Sequence, residues 1–233
     1  MNTLEYLLEL NQQALEVLLT LYKKPDYSKV KLIFPKDKTN NKDRISEQEL
    51  RFVYSIIIER KGVFNPFHYS IETPTQKDYK FKGNSISRAA MSDMSLYLVE
   101  NTPVKICNIE CKAHNPEINS IKKDIEKLCL EKETGAWCHL LINQDSKTLN
   151  IIFDKIRDSL DTVLNKYKSG HDEIFSKEYF FSFITLEKKC LITRKILKNE
   201  ITDYKRIFQL NYNDVKKLTN GEYTDNGWLI NRF

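Results

Sequence analysis

Apolar residues recur along this chain with two different periods, and the changes of period mark out its elements. From residue 3 to 23, Leu4, Leu7, Leu8, Leu15, Leu18, Leu19 and Tyr22 fall at helical spacing, which predicts a helix with one apolar stripe. That stripe is a packing surface, for the rest of the chain or for a second copy. The pattern lapses over Lys24–Lys42, where Pro25, Pro35 and the run KDKTNNKD read as a solvated connector. Ser46 then opens a second helix, SEQELRFVYSIIIER, with Glu49 three residues on in capping-box spacing.

The period next shortens to two. FHYSIETPT (67–75) alternates as a strand that Pro74 should stop, and YKFKGNSISR follows as a polar loop or hairpin. AMSDMSLYLV (90–99) and VKICNIECKA (104–113) are strands joined through Glu100-Asn101-Thr102-Pro103, so they predict a hairpin. EINSIKKDIEKLCLEK returns to helical period, with Ile118, Ile121, Ile125 and Leu128 on one face. GAWCHLLIN (135–143) is a buried strand, SKTLNIIFDKIRDSLDTVLNKYK a long amphipathic helix, and EYFFSFITL and KCLITRKI further strands. The tail GEYTDNGWLINRF is a strand or an arm. The order describes a mixed α/β fold in one domain spanning 1–233: helix and connector over 1–42, a core over 46–143, and helix, strands and tail over 147–233.

Composition changes this picture little. With 233 residues, 41% hydrophobic and 30% charged, the chain can bury a sizeable core, and 6 glycines and 6 prolines leave no room for long low-complexity segments. A net charge of +5 suits a polyanionic partner without establishing one. The five cysteines show no metal-binding spacing and read as reduced, buried thiols. The first helix carries Glu5, Glu9 and Glu16, unlike a secretory leader or a membrane span, so the expected location is cytoplasmic, with no membrane partner.

Candidate chemistry sits in ICNIECK (106–112). Strand geometry places Glu110 and Lys112 on one face and Ile109 and Cys111 on the other. With Asn101 and Thr102 at the centre of the hairpin turn, Val99 faces Val104, Tyr97 faces Ile106 and Asp93 faces Glu110. Opposed carboxylates with Cβ atoms about 5 Å apart repel unless a cation lies between them. Such a pair suits Mg²⁺, which takes one or two carboxylates and fills its octahedron with water and phosphate oxygens. Lys112 lies beside it to orient a water or neutralise a phosphate. The competing account is a salt-bridged strand end.

Asp93 followed by Glu110-Cys111-Lys112 resembles the PD-(D/E)XK nuclease superfamily, whose core is a restriction-endonuclease-like mixed sheet flanked by helices. That family carries an acid on the second strand and E-x-K on the third, and many members add a glutamate on the preceding helix, where this chain has Glu47 and Glu49. Ser92 replaces the usual proline, a position that shapes the turn rather than the chemistry. The resemblance covers about Ser46 to Trp137; the first helix, as an extra element, and the C-terminal extension match no motif. It implies Mg²⁺-dependent hydrolysis of phosphodiesters, with Mn²⁺ as a substitute, by a DNA-directed nuclease of the kind that serves restriction or anti-phage defence. Asp93, Glu110 and the Cys111 carbonyl would hold metal, while Lys112 would orient or deprotonate the attacking water. Cutting both strands of a duplex would need a homodimer.

Other positions have two explanations each. Glu49 is a catalytic acid or simply a cap, and Glu47 is the alternative acid. Glu72 supports the metal site or is a solvated strand residue. Asp124 and Lys127, at i and i+3, read as an exposed helix ion pair, and His114 as a loop histidine. Arg51, Arg88, Lys105, Lys122 and Lys123 form a candidate basic rim, while Trp228 and Tyr223 stack on bases or pack in a core. An inactive nucleic-acid-binding or interaction module on the same fold is the rival reading, and a regulatory partner built on the leucine-rich helix is a third.

Overall fold

A computed structural model describes residues 2–23, 25–36, 38–39, 41, 43–62, 65–79, 88–142, 146–167, 172–210 and 212–233. The first helix, α1 (Thr3–Leu21), begins where Asn2 and Glu5 close a capping box. Its leucine stripe is used inside the fold: Leu7, Leu10, Leu15 and Leu18 are fully buried, and Leu8, Leu19 and Tyr22 pack at the margin of the same cluster. At its centre Asn11 donates to Leu7 O and accepts from Tyr54 and Ser182, both at 2.7 Å, tying together three elements. The segment expected to be a solvated connector also contributes to this core through Val30 and Phe34. The second helix, α2 (Glu47–Arg60), starts at Ser46 as its spacing predicts, with the Glu49 carboxylate on the Ser46 N–H at 2.7 Å.

Three antiparallel strands follow: β1 (Phe67–Tyr79), β2 (Arg88–Val99) and β3 (Pro103–Ala113). Helix α3 (Ile118–Leu130) crosses over to β4 (Thr134–Leu141), which runs parallel to β3. Helix α4 (Ser146–Lys166) and the short α5 (Glu173–Ser176) lead to β5 (Tyr179–Thr185), parallel to β4, and β6 (Cys190–Ile196) turns back beside it. After α6 (Tyr204–Ile207) and α7 (Tyr212–Lys217), β7 (Glu222–Tyr223) and β8 (Leu229–Arg232) complete an eight-stranded open sheet in the order β1-β2-β3-β4-β5-β6-β8-β7. Among the described residues no helix is long and apolar enough to cross a membrane.

Helices cover both faces, which is why β4 and β5 are buried almost end to end and read as continuous apolar runs. α1 and α2 lie on the face of Ile109, Cys111 and Cys138; α3 and α4 lie on the face of Trp137, Phe181 and Phe183. All five cysteines are free and buried. Trp228 of the tail is fully buried, its ring 4.8 Å from Phe153 and its Nε1–H on Ile207 O, so it is a core residue; Tyr223 remains exposed.

Two expectations about the strands need correction. β1 does not stop at Pro74 but continues to Tyr79, because it is the sheet's edge and the missing N–H of proline breaks no ladder there. The β2–β3 connection is also one residue shorter than expected. Val99 pairs with Pro103 and Tyr97 with Lys105, so the pairs Val99–Val104 and Tyr97–Ile106 do not form. A bulge at Ile106 then restores the register, and Leu96 pairs with Cys107 and Met94 with Ile109. The paired register ends at Met94–Ile109, one position short of the expected Asp93–Glu110 pair. The ladder ends there because the Asp93 side chain takes the Cys111 N–H at 2.8 Å. The polar loop or hairpin expected over 79–88 falls mostly on residues 80–87, outside the described residues.

Truncating Trp228 to Ala should cost about 3–5 kcal/mol, seen as a lower urea midpoint at unchanged m. An unaltered midpoint would place the ring outside the core.

Candidate active site

The pleat sends Glu110 and Lys112 from adjacent in-facing positions of β3 towards α3, while Cys111 points the opposite way into the core under α2. Glu110 is 0% exposed. Its Oε2 receives Lys127 Nζ at 2.7 Å, and the same ammonium is 2.8 Å from Asp124 Oδ1 and 2.9 Å from Met91 O. Lys112 Nζ sits 2.5 Å from Asp124 Oδ2 and 3.8 Å from Glu47 Oε2. Asp93 is held by the Cys111 N–H on one oxygen and approached by Arg51 on the other at 3.8 Å; Arg51 also lies 3.6 Å from Glu72.

Five acidic side chains (Glu47, Glu72, Asp93, Glu110, Asp124) therefore surround three cations (Arg51, Lys112, Lys127), an excess of acidic groups within one small region. Side-chain exposure falls from 67% at Glu72 through 41% at Glu47 and 20% at Asp93 to 0% at Glu110. The gradient runs from the surface at Glu72 to the interior at Glu110.

Burial, reinforced by the Asp124 charge, pushes the Glu110 carboxyl well above the ordinary glutamate range, against the pull of Lys127. Burial opposes the charge on Lys112, yet Asp124 and, more weakly, Asp93 and Glu47 outweigh it and raise its pKa. Lys127 is raised in the same way by Glu110 and Asp124 against its burial. Both lysines are thus held as ammonium ions. A lysine so held can orient a water or neutralise a phosphate oxygen, and it is poorly disposed to take a proton from water at neutral pH.

Not every predicted residue reaches this centre. Asp93, Glu110 and Lys112 converge, and of the two helix acids Glu47 does. Glu49 does not, because its carboxylate is spent on the Ser46 cap. Cys111 contributes backbone alone. Lys105 leaves the expected basic rim: it is half-buried near Glu131 and Glu133, at 3.5 and 3.7 Å. His114, at φ 58° just past β3, has its Nε2–H on Ile45 O at 2.6 Å and serves a turn.

Asp124 and Lys127 are the residues the sequence reasoning misplaced. Each is 5% exposed and faces the sheet rather than solvent. Asp124 lies three residues after Ile121 and four before Leu128, inside the apolar stripe of α3; an acid at that position is the signal that could have found it.

Buried polar groups are ordinarily hydrogen-bonded. Here Glu110 Oε1, Trp137 Nε1 and His139 Nδ1 have no hydrogen-bond partner among the described residues. They fall on neighbouring strands, since Glu110 is in register with Trp137 and Lys112 with His139. The unsatisfied Glu110 oxygen, with Asp93 beside it, offers the hard oxygen donors that Mg²⁺ takes. Among the described residues no three His, Cys, Asp or Glu side chains form a preformed metal cage. Mg²⁺ does not need one, because it keeps waters and binds through one or two carboxylates and substrate phosphates.

A separate cavity of about 580 Å³ opens beyond the carboxyl ends of β3 and β4, beside His114, Leu141 and Thr148. Its cations Lys23 and Lys36 are paired with Glu187 and Asp43, and it does not reach the carboxylates of β2 and β3.

Comparison of the chain with protein-family models, with curated proteins and with solved structures gave no match.

His139 yields a pH prediction. Its Nε2–H donates to His114 O at 2.8 Å, and burial, first, with the nearby Lys112 charge lowers its pKa from 6.5 to about 3. The unfolded chain takes up this proton near pH 6.5 and the folded chain only near 3. Stability from neutral His139 is therefore full above 6.5 and is lost as pH falls towards 3. Between pH 7.5 and 5 the wild type should lose about 2 kcal/mol more than His139→Phe in urea unfolding. Equal losses would show that the imidazole is not held neutral.

Proposed function

We propose that this chain is a Mg²⁺-dependent nuclease that hydrolyses phosphodiester bonds of nucleic acid, with DNA as its substrate. The observation that carries this reading is the fully buried Glu110 carboxyl group, one oxygen unsatisfied, set in one cluster of acidic and basic side chains with Asp93 and Lys112.

The order of elements supports it. Helix α2, three antiparallel strands, a crossover helix and a parallel fourth strand, with an acid on the second strand and Glu110-Cys111-Lys112 on the third, is the arrangement that the resemblance to the PD-(D/E)XK superfamily implies. On this reading the sheet is a restriction-endonuclease-like core extended at one side by β5 to β8, with α1 added.

Asp93 and Glu110, with the Cys111 carbonyl, would hold Mg²⁺ or Mn²⁺. When bound, the metal supplies Lewis-acid polarisation of the phosphate and lowers the pKa of a water. The chain's own residues do the rest. Lys112, fixed by Asp124 and Glu47, presents an ammonium to a phosphate oxygen or orients water, the charged role that its raised pKa suits. The Cys111 N–H and Arg51 fix the Asp93 carboxylate in place. Exposed Arg88 and Lys123, with the partly exposed Lys122, are positioned on β2 and α3 to meet the phosphate backbone.

One observation favours the rival reading of an inactive nucleic-acid-binding module: the buried carboxylates already have lysine partners. The two readings part on cleavage. Nicking of supercoiled plasmid and cutting of a labelled single strand should require Mg²⁺ or Mn²⁺ and stop in EDTA. Glu110→Gln and Lys112→Met should each lower the rate about 100-fold or more. DNA binding that ignores metal, with no cutting by any form, would replace the nuclease with the binding module.

A further inference from the structure

The surroundings of Lys127 are those of a bound cation. Its ammonium has three N–H donors and meets three oxygens within 2.9 Å: Glu110 Oε2, Asp124 Oδ1 and Met91 O. Two carboxylates and a main-chain carbonyl are the donor types a hard divalent ion takes. The second Glu110 oxygen lies buried beside this cage with no partner among the described residues. An ammonium on a flexible four-carbon stem, anchored on α3 next to Asp124 in sequence and in space, can leave Glu110 while keeping its i,i+3 partner.

We propose that Lys127 is a tethered counter-ion occupying the cation position of Glu110, and that a divalent ion must displace it to bind there. The inference rests on the reading of this centre as one that takes metal, and it adds a residue from outside the D…E-x-K set. It makes affinity for free metal low by construction. It also couples metal entry to α3, the helix that carries both Lys127 and the Asp124 partner of Lys112. A full-charge competitor in contact with the site weakens a cation's binding by far more than a distant surface charge does.

The test is Mn²⁺ binding to the full chain by titration calorimetry, with thermal unfolding in EDTA and in Mn²⁺ as an independent readout. Lys127→Gln keeps two N–H donors for the buried oxygens while removing the charge. It should bind Mn²⁺ about tenfold or more tighter than wild type and gain a larger thermal shift. Lys127→Arg, which keeps the charge, should stay near the wild type, and Glu110→Gln should abolish binding. In the wild type itself, Mg²⁺ should shift one buried lysine side-chain ¹⁵N resonance, identified by its absence from Lys127→Arg; this holds whether or not the glutamine variant folds.

A wild type that cuts DNA with Mg²⁺ while Lys127→Gln binds Mn²⁺ no tighter, or while that resonance stays fixed, would overturn displacement and leave the nuclease standing. Binding by Lys127→Gln alone, with no cleavage by the wild type and no Mg²⁺ shift of its lysine resonance, would make the lysine a permanent occupant and overturn both. Binding by neither, with no cleavage, would show that the cage is not a cation site, and again both would fall.

Discussion

A carboxylate with no exposure to water costs several kcal/mol to bury as an ion, and Glu110 is such a group. It persists in the middle of the sheet because Lys127 reaches down from α3 to one of its oxygens. Much of the surrounding structure follows from satisfying that one charge. Lys127 needs further acceptors and finds Asp124 and the Met91 carbonyl; Asp124 in turn holds Lys112, and Lys112 draws Glu47 from α2. Removing one member of such a chain leaves a buried charge uncompensated, typically at a cost of about 3–5 kcal/mol. The network therefore binds α2, α3 and the β2–β3 hairpin as a unit.

That unit works only if α3 is held at a fixed height over the sheet, and a second set of buried charges does this just beyond Lys127, at the helix C-terminus. Lys177 donates to Leu128 O and Glu131 O, the free carbonyls at the helix C-terminus. Burial, eased by nearby Cys129, Glu133 and Glu131, brings Lys177 down to about 8. The Glu131 carboxylate accepts from Gln76 N, Lys77 N and the Tyr79 hydroxyl, which fastens the edge strand β1 to the same point. Two buried carboxylates thus anchor the C-terminal turn of one helix. The Glu131 oxygens are fully engaged, whereas Glu110 keeps an oxygen free. This difference separates a clamp from a candidate reaction centre.

On the opposite face, the apolar stripe of α1 and the Asn11 hydrogen bonds to Tyr54 and Ser182 seat α2 against the sheet. The consequence for the site is the placing of Ser46. Once the cap consumes Glu49, the acid two residues earlier is the one left to meet Lys112. A leucine-rich helix that looked free to bind a partner instead sets the position of a site residue on the next element.

Local periodicity determined the four long helices and the strands as far as β6, their order, the Ser46 cap and the shared face of Glu110 and Lys112, because each depends on backbone geometry over a few residues; the short helices α5 to α7 left no such pattern. The register that leads towards Asp93 and Glu110 was legible as well as far as Met94–Ile109, though only because a shorter connection and a bulge at Ile106 offset each other, and alternation records neither. Only the tertiary structure decided which charges are buried. Asp124 and Lys127 have the spacing of any surface helix pair, and their inward direction follows from how α3 docks on a sheet already carrying Glu110. The pull of one buried charge on groups distant in sequence acts through space rather than along the chain, and sequence spacing records it only as an acid inside the apolar stripe of α3.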